Sequence, residues 1–193
     1  MLPGRPRTTS ARRLELLALE AFREHGYDAV TVEDLATAAG ISRRTFHRYF
    51  ATKADVLWHG FDDEVAALTT ALAEVDADVP MWAAIRHAVM AVNGHHSDDR
   101  PELRTRIHLL VHEPEIRAAA AERYEAWERA VADFALARHP ELGPFGALAV
   151  GRATLAVCRT AFEQWLADGD DRDDLLTARL GAAVDQLAAG LTP

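Results

Sequence analysis

One stretch, from Thr31 to Lys53, constrains this chain more than any other: TVEDLATAAGISRRTFHRYFATK. Thr31, followed three residues later by Asp34, forms the capping pair of a helix start. Val32, Leu35, Ala36 and Ala39 then recur at helical spacing on one face. Gly40 is the residue for which a left-handed helix stop costs least. Ser42 caps a second helix, whose first turn is Arg43, Arg44 and Thr45. Phe46 and Phe50, four apart, turn inward. Arg43, Arg44, Thr45, His47, Arg48 and Tyr49 occupy the other faces, with no acid among them. Two short helices around a Gly-containing turn, the second polar and cationic, have the form of a helix-turn-helix that enters the major groove.

The side chains suit that task. Arginine donates in a bidentate way to guanine O6 and N7, and threonine touches a thymine methyl or donates to phosphate. His47, Tyr49 and Lys53 bind phosphate oxygens, which fixes position without reading sequence. The expected DNA contacts are therefore Thr31, Ser42, Arg43, Arg44, Thr45, His47, Arg48, Tyr49 and Lys53. A formal charge of −9 over 193 residues argues against a nucleic-acid partner only if charge is spread evenly, and it is not. Residues 1–60 hold nine Lys/Arg against seven Asp/Glu, a balance of +2; the remainder holds twelve against twenty-three, a balance of −11. The basic end carries the DNA footprint and the acidic remainder is left for other work.

The order Thr31-Val-Glu-Asp-Leu-Ala, then Ala-Ala-Gly-Ile-Ser-Arg-Arg-Thr-Phe-His-Arg-Tyr-Phe, then Lys53, resembles the DNA-binding head of tetracycline-repressor-type (TetR) regulators. The resemblance implies an all-α fold of about nine helices, with a three-helix head and a larger bundle that binds a ligand and dimerises. It implies double-stranded DNA with a pseudo-palindromic operator, a homodimer and a small hydrophobic effector as partners, repression as the direction, no enzymatic activity and no tightly held cofactor. That family usually has a small residue where Arg44 stands and a tyrosine where His47 stands. Arg123-Tyr-Glu-Ala-Trp and Phe162-Glu-Gln-Trp-Leu, with Arg43-Arg-Thr-Phe and Asp55-Val-Leu-Trp, are similar to the mycofactocin-system regulator group. That narrower resemblance implies a long-chain acyl-coenzyme A effector.

Periodicity read with the resemblance divides the chain into a disordered basic arm over 1–9, the head over 10–55 and a region over 56–193 that the resemblance implies is for ligand binding and dimerisation. A first helix carries Leu14, Leu17, Ala18, Ala21 and Phe22 inward and ends at His25-Gly26. Thr52 and Asp55 repeat the capping logic and open one helix with Leu57, Phe61, Val65, Leu68 and Leu72 on a single side. Further helices follow from Pro80, from Pro101 (Leu103, Ile107, Leu110 and Val111 inward), and from Ile116 unbroken to Arg138. Two more lie either side of an acidic link, Asp168 to Asp174. No run alternates as a strand does, and the opening MLPGRPRTTS lacks the apolar core of a secretion signal. No unbroken apolar run reaches the ~18 residues of a membrane helix, so no membrane partner is expected. The single cysteine, Cys158, excludes an internal disulfide and fits a reducing cytoplasm.

Bundles hold ligands between facing helices, among apolar side chains with a few polar ones. The resemblance implies such a pocket here, and its expected lining is Trp58, Phe61, Trp82, Met90, Asn93, His108, Tyr124, Trp127, Val131 and Phe162, with His112, Arg123 and Arg159 as further polar candidates; an arginine at its mouth would suit phosphates. The last two helices carry small and apolar residues on more than one side, so Leu155, Trp165, Leu180, Ala183 and Leu187 are expected at a four-helix dimer interface. Two rival readings stay open. His108 and His112, four apart with His95, His96, Asp98 and Asp99 upstream, would suit a metal-sensing regulator. An acyl-chain carrier without an operator is the other. The His112-Glu113 pair lacks the second histidine of HExxH, so no catalytic metal site is signalled.

Overall fold

A computed structural model describes residues 9–94, 100–168 and 175–191. The basic arm up to residue 8, the His95 to Asp99 cluster and most of the acidic link lie outside these. The described residues form ten α-helices and two short 3-10 turns, with no strand. The helices are α1 (Ala11–His25), α2 (Val32–Ala38), α3 (Arg43–Tyr49), α4 (Phe61–Ala73), α5 (Met81–Val92), α6 (Arg100–His112), α7 (Pro114–Ala119), α8 (Ala121–Arg138), α9 (Gly143–Asp168) and α10 (Leu175–Leu191).

Two expected helices are each divided in the fold. Thr52 and Asp55 do cap a helical start: both the Thr52 amide and hydroxyl donate to the Asp55 carboxylate at 2.8 Å. What they open is only a 3-10 turn, Ala54–Trp58, because Gly60 takes φ +83° and α4 begins afresh at Phe61. A left-handed residue cannot continue a right-handed helix, and glycine adopts it without steric penalty. The run from Ile116 to Arg138 is interrupted at Ala120, where the chain passes from one compact unit to another.

The first unit contains α1 to α3, the Ala54–Trp58 turn and the segment Pro101–Ala119. That last segment was expected with the effector region. Leu14, Ala18, Leu19 and Phe22 of α1 are buried, as are Leu35, Phe46, Phe50, Val56 and Leu57. Leu103, Ile107, Leu109 and Ile116 supply the share of α6 and α7; Leu109 takes the inward place expected of Leu110 and Val111, which are only half-buried. The Phe22 and Tyr27 ring centroids lie 5.1 Å apart, and those of Phe46 and Phe50 5.8 Å.

The second unit packs α4, α5, α8, α9 and α10 around Leu68, Leu72, Ile85, Val89, Val131, Ala135, Trp165, Leu180 and Val184. The Arg138 guanidinium donates to the carbonyls of Val75, Asp76, Ala77 and Val79 at 2.8–3.2 Å, fixing the turn between α4 and α5 to the end of α8. By length and composition α9, with the turn before it, could cross a bilayer, mean hydropathy 1.2. Here Val150, Thr154, Leu155, Cys158, Ala161 and Trp165 are buried as a core helix buries them.

Three of the residues expected at a dimer interface are interior to the protomer. Leu155, Trp165 and Leu180 are 8%, 1% and 0% exposed, while Ala183 and Leu187 are half-buried. Small neighbours allow α8, α9 and α10 to approach closely, so the large apolar groups point between them.

Candidate functional site

The first unit presents α3. Thr31 and Asp34 form a reciprocal capping box: the Thr31 amide donates to the Asp34 carboxylate at 2.9 Å and the Asp34 amide to the Thr31 hydroxyl at 3.2 Å. The hydroxyl bond from Thr31, and then its amide, hold the Asp34 carboxyl below its usual range. Gly40 takes φ +67° between the helices, and the Ser42 hydroxyl accepts from the Thr45 amide at 3.1 Å. Phe46 and Phe50 anchor α3 from below, leaving Ser42, Arg43, Arg44, His47 and Arg48 exposed and Thr45 and Tyr49 half-buried. Among the described residues Arg44 pairs with no group, whereas Arg48 lies 5.3 Å from the Tyr49 ring centroid.

Three of the expected DNA contacts have work inside the head. The Thr31 hydroxyl donates to Asp34 at 2.6 Å. The Tyr49 hydroxyl donates to the Thr9 carbonyl at 2.6 Å. Lys53 donates to the carbonyls of Tyr27 and Val30 at 2.7 and 3.0 Å, with its ammonium 3.9 Å from the Tyr27 ring centroid. Lys53 thereby ties the end of α3's unit to the loop after α1.

Two features of this unit were missed in the sequence. Glu33, in the first turn of α2, accepts from Arg43 at 2.6 Å. Glu15, only 1% exposed, accepts from Arg12 at 2.8 Å and from Arg106 of α6. Arg106 also donates to the Leu57 carbonyl, and Arg12 to Glu102 at 2.7 Å. Glu15 shares the helical face of Ala18, Leu19 and Phe22, which is the available sign that an acid there is buried.

The ten expected ligand residues divide between the units. Trp58 is buried and His108 exposed, both in the first. The remaining eight belong to the second. There the Phe61 and Tyr124 rings meet edge to face, centroids 6.1 Å apart, and the Arg159 guanidinium lies 5.5 Å from the Tyr124 centroid. Burial raises the Tyr124 phenol pKa, and the Arg159 charge opposes that rise. Trp127 and Val131 are buried; Trp82, Met90 and Phe162 are half-buried. Asn93 donates its amide to the Val89 carbonyl at 2.8 Å within its own helix end. The His108 and His112 rings lie 4.5 Å apart, yet no group of three metal-ligating side chains converges among the described residues.

Comparison with known proteins finds one family model for each end of the chain, the second of which also spans the Pro101–Ala119 segment of the first unit. Residues 17–58 match the family model for bacterial regulatory proteins of the tetR family, and residues 79–192 match the MftR C-terminal domain. The chain is 34% identical to MftR of Mycobacterium tuberculosis, described as a mycofactocin biosynthesis transcriptional regulator, over 97% of its own length and 94% of that protein's. Two solved structures share the fold. Thermus thermophilus FadR, a transcriptional repressor crystallised with lauroyl-CoA, aligns with TM-score 0.65 at 24% identity, covering 95% of this chain and 96% of that one. The fatty acid degradation regulator FadR of Bacillus halodurans aligns with TM-score 0.71 at 18% identity, covering 97% and 98%.

Proposed function

Because this chain belongs to the tetR family of bacterial regulatory proteins and carries a C-terminal domain of the MftR type, we propose that it is a homodimeric repressor released from its operator by a long-chain acyl-coenzyme A. It acts on duplex DNA in the cytoplasm. The observation that carries the reading is the outward face of α3, with Arg43, Arg44, His47 and Arg48 exposed over a buried Phe46/Phe50 anchor. Arg43, Arg44 and Arg48 read base edges; Ser42 and Thr45 hold phosphates, with Thr31 and Lys53 at the margins, while His47 and Tyr49 brace this surface through their bonds to Arg43, the Ala51 carbonyl and the Thr9 carbonyl. A dimer places two such helices ~34–36 Å apart, in successive major grooves of a pseudo-palindromic site.

The effector half rests on two supports. Phe61 and Tyr124 with Arg159 join aromatic surface to a cation, the combination an acyl chain with a phosphorylated head requires. The Thermus relative with the same fold binds lauroyl-CoA. Trp82, Met90, Asn93, Trp127, Val131 and Phe162 extend the lining within the second unit. Release needs only that the ligand prefer the geometry that cannot bind DNA; a ~100-fold preference shifts the equilibrium by about 2.7 kcal/mol.

Fluorescence anisotropy on duplex DNA from upstream of its own gene tests the whole reading. Tight binding reversed by palmitoyl-coenzyme A is expected, with reversal lost in Tyr124→Ala. Binding unaffected by the thioester would discard the effector and keep the regulator. Equal affinity for this and scrambled DNA would discard the operator.

A further inference from the structure

The first turn of α3 contains a hydrogen-bond chain that reaches beyond the helix. Glu33 of α2 accepts from Arg43 Nη1 at 2.6 Å, and Arg43 Nε donates to His47 Nε2 at 3.4 Å. Since His47 Nε2 receives a proton donor, its Nδ1 carries the ring hydrogen and donates to the Ala51 carbonyl at 3.1 Å. The Arg43 guanidinium is thus gripped on two sides while its side chain stays 63% exposed, and Glu33 is 57% exposed.

We propose that Glu33 is a positioning residue for base reading: together with His47 it presets the Arg43 guanidinium so that its remaining edge meets a base in the major groove. A guanidinium has five N–H groups in a fixed plane. The chain occupies one on Nε and one on Nη1, which leaves both hydrogens of Nη2 and one of Nη1. That is sufficient for a bidentate contact to guanine O6 and N7. A free arginine loses rotamer freedom when it binds a base; an arginine already held by two neighbours loses less, and only in one orientation. The carboxylate has a second effect. It faces a polyanion, so it opposes any approach in which Arg43 merely serves phosphates. Glu33 therefore favours the correct sequence and disfavours the rest. The inference rests on the placement of Arg43 at DNA in the reading above.

The test uses the full chain, a duplex that the protein itself enriches from a random-sequence library, and a scrambled duplex of equal length. Removal of a negative charge beside DNA, acting alone, strengthens binding to both. Positioning predicts opposite signs instead. Glu33→Gln is expected to weaken binding to the enriched duplex about tenfold, the size of one good base contact, and to leave the scrambled duplex unchanged or bound more tightly. In an Arg43→Ala background Glu33→Gln should no longer weaken binding to the enriched duplex, leaving only the general gain from the lost negative charge, and library selection with Glu33→Gln should lose preference at one position of each half-site. Equal strengthening on both duplexes overturns the proposal, as does a Glu33→Gln loss that persists without Arg43. An Arg43→Ala variant that binds both duplexes like the wild type overturns it too, and traces the failure to the placement of Arg43 itself. Far-UV circular dichroism monitors folding, and Asp34 keeps the α2 cap in every variant.

Discussion

Glu15 and Cys158 are both buried, and opposite chemistry keeps them there. Glu15 remains a partner to two guanidiniums, Arg12 and Arg106, so its charge is answered within hydrogen-bond distance. Removing one cation from a buried pair costs more than the pair contributes, because the remaining charge stays desolvated. Arg106→Met should therefore lower stability by about 3 kcal/mol, read as a fall in the urea midpoint at unchanged slope. Adding Glu15→Gln to that variant should recover part of the loss; a double mutant as unstable as the sum of the singles would show that Arg106 acts through its Leu57 carbonyl bond alone. Cys158 has no such partner, and burial pushes its thiol pKa up to about 12. The native protein should not react with a disulfide reagent at pH 8 on the time scale in which the urea-unfolded chain reacts fully. The sign for stability follows: between the ordinary thiol value near 9 and about 12 the unfolded chain gives up a proton that the folded chain keeps. This group's contribution is thus present below that window and lost as pH rises through it.

At the scale of elements, the parts legible in the sequence were those fixed by neighbours within four residues. The caps at Thr31, Ser42 and Thr52, the Gly40 turn and the inward Phe46/Phe50 pair all stand as their spacing dictates. What periodicity could not supply was the interruption at Gly60, since apolar residues keep helical spacing on both sides of it. Nor could it assign α6 and α7 to the first unit, because Leu103, Ile107 and Ile116 are equally good core in either. The Glu33–Arg43 pair spans ten residues and a turn, beyond any local rule. The crossing of α8 and α9 is a further case. A Cβ on Gly151 would lie deep inside contact distance of the Glu128 carbonyl, and 3.4 Å from the Ala132 amide nitrogen. The obstacle is backbone rather than a flexible side-chain tip, so the helices themselves must part. Gly151→Ala should destabilise the chain by about 1–3 kcal/mol, although alanine is the better helix former. A variant at or above wild-type melting temperature would mean that the crossing opens at no cost.

For the molecule as a whole, the dimer proposed above needs a surface, and the residues first expected there are occupied. Leu155, Trp165 and Leu180 fill the protomer's own core. The outer faces of the same two helices remain. On α9, Ala149, Ala156, Thr160 and Ala167 are exposed at steps of seven, four and seven; on α10, Ala178, Ala182 and Ala189 are exposed at steps of four and seven. Both faces carry small residues that let backbones of two chains approach closely, with exposed acids among them, Glu163 on α9 and the Arg86-paired Asp185 on α10. Phe145, at the start of α9, is 89% exposed and the one large apolar side chain so placed among the described residues. In the proposed dimer a pair of such faces would form an isologous four-helix contact with the phenylalanines at its ends. Ala156→Arg places a charged side chain near the middle of this stripe without touching either core. The wild type should run in light scattering at about twice the 21.2 kDa chain mass, and Ala156→Arg at the chain mass, folded and with its melting cooperative. Since one head makes half the contacts of two, its affinity for the two-half-site duplex should fall toward that for a single half-site. Trp165→Ala should behave differently, losing stability before it loses partner. A dimeric Ala156→Arg would move the interface off these faces, and a monomeric wild type would remove the two-headed reading of the operator altogether.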